Sequence, residues 1–161
     1  MTYENLQIQN TDVFIKEIDL SGINGLKGMY FDGNIAIHQH MTQTEKSCVL
    51  AEELGHHHTT IGNILDQTNA WNRKQEQQAR TWAYNKLIGL MGIINAYKAG
   101  CRNAYEMAEY LDVTEEFLND ALERYRRKYG EYATVDNYTI YFEPYLAVLE
   151  IRHRTTVIET E

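Results

Sequence analysis

The sequence predicts an α+β fold: one mostly helical domain with a small β-hairpin sheet near the N-terminus and one or two strands near the C-terminus. Three observations predict it. An Asp-Gly pair separates two runs of β-forming residues, two long segments carry apolar residues at helical spacing, and a late stretch is rich in Tyr, Ile and Val. The 161 residues, 43% of them hydrophobic, suit a single domain over 1–161. Residues 28–98 hold the core motifs, and residues 102–151 form a helical and β C-terminal part.

The first predicted elements are a strand and a hairpin. Apolar residues cluster within 12–20, which indicates a strand, and the glycines of 21–28 indicate a turn. Asp32-Gly33 then separates the strand-like runs 29–31 and 34–38. This pair favours a tight hairpin turn, because both central residues of that turn need positive φ. We expect the strand that ends at His38 to align an extended peptide through backbone pairing.

Two helices follow the hairpin. Thr42 and Glu45 have the spacing of a capping box, which predicts a helix over 43–58. Polar and irregular residues predict a loop over 59–72. A second helix is predicted from Arg73 to Gly100, and its helically spaced apolar residues should pack against the first helix. Those residues are Ala79, Trp82, Ala83, Leu87, Leu90, Met91 and Ile94.

The C-terminal part should contain two shorter helices and then strands. The helices are predicted over 103–111 and 115–128, the second capped by Thr114. The β-formers of 138–142 and 146–151 predict one or two strands.

The helix pair has the outline of a helix-turn-helix, and four basic residues close its second helix. They are Arg124, Arg126, Arg127 and Lys128. At a helix C-terminus, however, cations complement the helix dipole without any ligand. The net charge of −8 also argues against a nucleic-acid partner, which requires a basic face.

Composition also bears on the compartment. No apolar run approaches the roughly 20 residues that span a bilayer, and the N-terminus lacks the layout of a secretion signal, so no membrane partner is expected. Only two cysteines, Cys48 and Cys101, occur in the chain, which makes a disulfide framework improbable. These features predict a reducing cytoplasm.

Residues 52–58, Glu-Glu-Leu-Gly-His-His-His, are the clearest functional signal. On a helix, Glu52 and His56 share a face, and Glu53 lies beside them. In the H-E-x-x-H motif this spacing supplies two metal ligands and one general base. Here the first position is Glu52. A carboxylate is an acceptable zinc ligand, although its negative charge makes the ion a weaker Lewis acid.

Other assignments of the same segment stay open. His57 or His58 would substitute for Glu52 as ligand, and Glu53 with His57 has the same four-residue spacing; otherwise both histidines are solvated at the helix end. His38 and His40 follow the hairpin and should face solvent. Cys48, one turn before Glu52, should be a small buried hydrophobic residue.

Two stretches together resemble the ImmA/IrrE family of metallo-endopeptidases, in the short form found in phages and mobile elements. One is Glu45-Lys-Ser-Cys-Val-Leu-Ala-Glu-Glu-Leu-Gly-His-His-His-Thr-Thr. The other is Asn72-Arg-Lys-Gln-Glu-Gln-Gln-Ala-Arg-Thr-Trp-Ala-Tyr-Asn-Lys-Leu-Ile. The resemblance implies a zincin-like fold and a third metal ligand at Glu76, three residues before Ala79. A glutamate in the first turn of a helix that packs on the site helix can point into the same cleft. Asp66 is the rival ligand, and the alternative role of Glu76 is a pairing with Arg80 one turn later.

The resemblance also implies a function. A Zn²⁺ ion, or another divalent ion such as manganese, would be held by Glu52, His56 and Glu76, with Glu53 as the general base. The expected substrate is a helix-turn-helix repressor of a phage or mobile element, cleaved to relieve repression. The alternative is an inactive pseudo-peptidase that binds the repressor as an antirepressor.

Overall fold

A computed structural model describes residues 1–60 and 69–151 of the chain. The described elements occur in the following order: α1 (Tyr3–Gln9), β1 (Phe14–Ile18), β2 (Gly28–Phe31), β3 (Asn34–His38), α2 (Gln43–Thr60), α3 (Asn69–Leu87), α4 (Gly89–Lys98), α5 (Ala104–Leu111), α6 (Glu115–Tyr129), β4 (Tyr132–Val135), β5 (Tyr138–Tyr141) and β6 (Ala147–Glu150). Helices therefore dominate over two small sheets, which confirms the predicted α+β class.

The N-terminal sheet contains the predicted hairpin. Asp32 and Gly33 have φ values of 43° and 75°, as the tight turn requires. Strand β3 lies in the middle, parallel to β1 and antiparallel to β2. Its Ile35 and Ile37 are buried and belong to the main core, against which α2 also packs. Because both edges of β3 are already paired, the expectation that this strand aligns a peptide is wrong; among the described strands of this sheet, β1 and β2 form the outer edges.

Helix α2 begins at the predicted capping box. The Glu45 backbone N–H donates to Thr42 Oγ1 over 3.2 Å, and the Thr42 N–H donates to Glu45 Oε2 over 2.8 Å. The helix continues to Thr60, two residues beyond the predicted end. Of the predicted loop over 59–72, only part can be compared: residues 61–68, Asp66 among them, lie outside the described residues, and 69–72 belong to α3.

The single helix predicted from Arg73 to Gly100 is two helices. Helix α3 begins at Asn69, and the backbone breaks at Ile88 and Gly89, where Gly89 has a φ of 62°. Glycine adopts this left-handed conformation without steric cost and so ends α3. Ile88 is buried, so the apolar spacing runs through the break. Periodicity therefore did not reveal it.

The C-terminal part has one strand more than predicted. Helices α5 and α6 match their predicted ranges closely, and the Phe117 N–H donates to Thr114 Oγ1 over 3.1 Å at the predicted cap. Strands β4, β5 and β6 form an antiparallel sheet. Neither β4 nor the short α1 was predicted. None of the described helices combines the length and the apolar character needed to cross a bilayer.

The basic cluster at the end of α6 is largely engaged within the chain. Arg126 pairs with Glu123 and Glu143, and Arg127 pairs with Glu123. The Arg124 Nε–H donates to Thr81 Oγ1 on α3 over 2.9 Å. These contacts account for three of the four basic side chains without a nucleic acid.

Candidate functional site

The site depends on an unusually close approach of α2 and α3, which glycine permits. A Cβ added to Gly55 would collide with the backbone carbonyl of Ala79 and would lie 2.9 Å from the Ala79 Cα. Both residues are fully buried or nearly so. A glycine inside a helix costs about 1 kcal/mol relative to alanine, and close packing offsets that cost. The contact fixes one turn of α3 against the turn of α2 that carries the acidic and histidine residues.

At this contact, His56 and Glu76 meet as predicted. His56 Nε2 lies 3.2 Å from Glu76 Oε2, and the Arg80 Nε–H donates to the other oxygen, Oε1, over 2.8 Å. The hydrogen bond from His56, together with Arg80, lowers the pKa of Glu76 to about 2. The same hydrogen bond raises the pKa of His56 above its ordinary value. Glu76 is therefore an anion held between the His56 imidazole and the Arg80 guanidinium.

Among the carboxylates of the site, Glu53 has the most strongly raised pKa. Burial, reinforced by the negative charges of Glu52 and Glu76, raises its pKa to about 7, although His56 and a hydrogen bond from the Tyr30 backbone N–H oppose the shift. Gly28 makes room for it: a Cβ there would stand 2.9 Å from Glu53 Oε1. A carboxyl group with this pKa can both accept and return a proton near neutral pH.

Glu52 lies in a cleft next to the His56–Glu76 pair. Burial raises the pKa of Glu52, and the positive charge of Arg80 opposes the rise. The cleft has a volume of about 230 Å³. Its lining includes Lys27, Cys48, Glu52, Arg80, Phe117 and Asp120. The predicted base and all three predicted ligands thus lie around one region between α2, α3 and β2.

Comparison with protein families identifies this arrangement. The model of the IrrE N-terminal-like domain, peptidase family M78, matches residues 7–123. The chain belongs to this family. The match confirms the resemblance to ImmA/IrrE proteins and places the chain among metallopeptidases. It covers the sheet β1–β3 and ends within α6, so strands β4–β6 lie beyond the family domain. No curated protein and no solved structure matches the chain.

Within this M78 domain, the donor set suits zinc in its chemistry but is not assembled as a complete centre. Glutamate and histidine are ordinary zinc ligands, and His56 Nε2 and Glu76 Oε2 are spaced like two ligands of one tetrahedral ion. In the described part of the chain, however, no three His, Cys, Asp or Glu side chains are grouped to hold a metal. The residue types are therefore suitable ligands for zinc. The assignment of Glu52, His56 and Glu76 as ligands stays a prediction.

His57 is not a solvated residue at a helix end. Its side chain is 11% exposed; Nε2 lies 3.0 Å from Asp12 Oδ2, and Nδ1 lies 3.2 Å from the Tyr30 hydroxyl. That hydroxyl accepts the Gly33 N–H over 3.2 Å, so it is free to donate to His57. Both ring nitrogens are occupied, which leaves no lone pair for an ion in place of Glu52.

His58 also faces the N-terminal segment. Its Nε2 lies 2.9 Å from Asn10 Oδ1, and its ring stacks on Trp82 with 4.7 Å between centroids. Trp82 is half-buried at the margin of the predicted core. The last turns of α2 therefore send one histidine of the run to the cleft and two away from it.

The remaining candidates have local roles. His38 is half-buried, contrary to the expectation that it faces solvent, and its Nδ1 accepts the Leu20 N–H over 3.0 Å. His40 is exposed, as expected. Cys48 is buried as predicted, and burial raises the pKa of its thiol to about 11, so the thiolate is disfavoured.

Sequence reasoning missed three contributors to the site. Gly55 could have been found, since a glycine inside a strongly predicted helix signals a close contact. Gly28 and Tyr30 gave no such signal. Their roles depend on β2 lying directly over α2, which only the tertiary structure shows.

Proposed function

We propose that the protein is a metal-dependent endopeptidase that cleaves a helix-turn-helix repressor of a phage or mobile element and so relieves repression. One observation carries the peptidase part: half-buried Glu53 lies beside the His56–Glu76 pair, with the two donor atoms of that pair 3.2 Å apart. This is the base and ligand arrangement that family membership leads one to expect. A partly buried carboxyl group with a pKa of about 7 contributes little to folding stability, and it suits proton transfer near neutral pH.

Each residue of the site has a defined task in this proposal. Glu52, His56 and Glu76 would hold a zinc ion, which, when bound, polarises the scissile carbonyl. Glu53 takes a proton from the attacking water and returns it to the leaving amine. The Tyr30 N–H holds the Glu53 carboxylate in place. The outer edge of β2 borders the site, and its backbone groups other than the Tyr30 N–H support pairing with an extended substrate.

The substrate class rests on the ImmA/IrrE resemblance, and its test is direct. Purified protein is incubated with the helix-turn-helix repressor encoded nearest to it, and cleavage is followed by mass spectrometry. The wild-type chain should cleave, and Glu53→Gln should not, because an amide cannot take the proton at nearly unchanged shape. Glu131→Gln, an exposed carboxylate outside the family domain, is the matched control and should cleave normally. Full cleavage by the Glu53 variant would rule out the base role.

A second candidate function is antirepression by binding alone. Glu52 at the first motif position and the pairing of Arg80 with Glu76 favour it, because together they leave the described donors short of an assembled metal centre. In that case Glu53→Gln would relieve repression of a reporter as well as the wild type does, and the repressor would stay intact. Loss of both relief and cleavage in this variant argues for the peptidase.

A further inference from the structure

We propose that Arg80 is a built-in counter-cation of Glu52 and Glu76, so that a divalent ion must bind this site against its fixed positive charge. The inference rests on the metal site of the proposed function. It concerns the residue that sets the affinity of that site, and neither the family match nor the motif assigns Arg80 any role.

The position of Arg80 supports this assignment. It lies one turn after Glu76 on α3, and its Nε–H donates to Glu76 Oε1 over 2.8 Å. Arg80 also lines the cleft that Glu52 enters. One guanidinium therefore serves carboxylates on two different helices.

Charge counting explains why the site has such a residue. Relative to the H-E-x-x-H motif, Glu52 adds one negative charge, and Arg80 adds one positive charge beside it. A guanidinium is always protonated, so its charge cannot be lost when an ion arrives. Arg80 thus keeps Glu52 and Glu76 together in the absence of an ion and repels an ion that approaches the same oxygens.

The same charge bears on the chemistry of a bound ion. Glu52 in place of histidine makes an ion less electrophilic, and a neighbouring positive charge offsets that effect. Because the charge of Arg80 repels an approaching ion, removal of that charge should make ion binding tighter.

Zinc binding to the full-length protein tests the proposal. It is measured by competition with a chromophoric chelator and by the shift in Tm on adding zinc. Arg80→Gln should bind zinc at least about tenfold more tightly than the wild type, because a charge repulsion is removed. Arg80→Lys keeps the charge and should bind as the wild type does. Arg127→Gln removes a matched Glu-to-Arg pair with i,i+4 spacing on α6 and should change nothing.

The outcomes separate this inference from the proposed function. If the wild type binds zinc and Arg80→Gln binds it equally or more weakly, Arg80 merely orients Glu76; the inference fails and the metal site stands. If neither binds zinc while both give a folded circular-dichroism spectrum, the metal site itself fails, and the inference fails with it.

Discussion

The two faces of the last turns of α2 carry similar residues and have different environments. The cleft face presents Glu53 and His56 to α3 and β2, where burial raises the pKa of Glu53 and the hydrogen bond with Glu76 raises the pKa of His56. The neighbouring face presents His57 and His58, which contact Asp12, Tyr30, Asn10 and Trp82. Successive helical residues differ by about 100° in direction, so a run of three histidines is divided between the faces.

The comparison shows how chemistry and stability are separated within one turn. On the cleft face, Glu53 lies near the like charges of Glu52 and Glu76, an arrangement that costs stability and suits proton transfer. His57 instead has a partner at each ring nitrogen and ties α2 to the hairpin and to the N-terminal segment. Changes on the two faces should therefore affect different measurements.

The largest expected effect removes the contact on which the cleft face depends. Gly55→Ala drives a Cβ into the Ala79 backbone, which cannot move aside as a flexible side chain can. We expect a loss of about 3 kcal/mol or more in the free energy of unfolding. Urea denaturation measures it.

Gly92→Ala in α4 is the matched control for this change. Its added Cβ meets the end of the Leu111 side chain at 3.2 Å, and alanine is the better helix former. This variant should stay within about 1 kcal/mol of the wild type. Equal losses in both variants would show that crowding at Gly55 is not special.

The next effect distinguishes the two faces. His57→Ala leaves Tyr30 and Asp12 without their partner and opens a space in a nearly buried position. The free energy of unfolding should therefore fall by about 2 kcal/mol. His56→Ala should change stability by less than about 1 kcal/mol, because its partner Glu76 is half-exposed. Zinc binding should show the reverse order: the His56 variant should lose the ion, and the folded His57 variant should retain it.

The measurements for this pair are urea denaturation and metal analysis of protein purified without a histidine tag. A His57 variant as stable as the wild type would contradict the stabilising role assigned to His57 on the neighbouring face. Zinc retained by the His56 variant would contradict the assignment of the cleft face.

Much of this division followed from the sequence, and the reason is local. The capping box at Thr42 and Glu45, the Asp32-Gly33 turn and the spacing of Glu52 and His56 depend on near neighbours in the chain. The sequence also placed Glu76 opposite the site helix through its family motif. The capping box and the turn were confirmed, because short-range geometry decides them; the assignment of Glu52, His56 and Glu76 as metal ligands stays a prediction.

What the sequence did not reveal depends on contacts distant in the chain. The partners of His57 come from Asp12 and Tyr30, which helical spacing does not relate to α2. The break at Gly89 was hidden because the apolar pattern continues through buried Ile88. The role of Arg80 at Glu52 depends on how closely α2 and α3 approach, which a single glycine sets.

The smallest expected effect is a pH dependence of the His56–Glu76 pair. The folded-state pKa of His56 lies above its ordinary value of 6.5, so its stabilisation is fully present below that pH and is lost as pH rises through the folded value. The pKa of Glu76 is lowered from 4.5 to about 2, so its stabilisation is present above 4.5 and is lost as pH falls toward 2.

The coupling free energy should therefore be greatest between about pH 4.5 and 6.5 and should stay below about 1 kcal/mol, since the pair is partly solvated. A double-mutant cycle of His56→Ala and Glu76→Gln at pH 5.5 and at pH 9 measures it, with the Glu123–Arg127 pair as a control that keeps its coupling at both values. A coupling that does not fall at pH 9 would mean that a protonated His56 does not supply the contact with Glu76, and the charge pairing assigned to the cleft face would then be wrong.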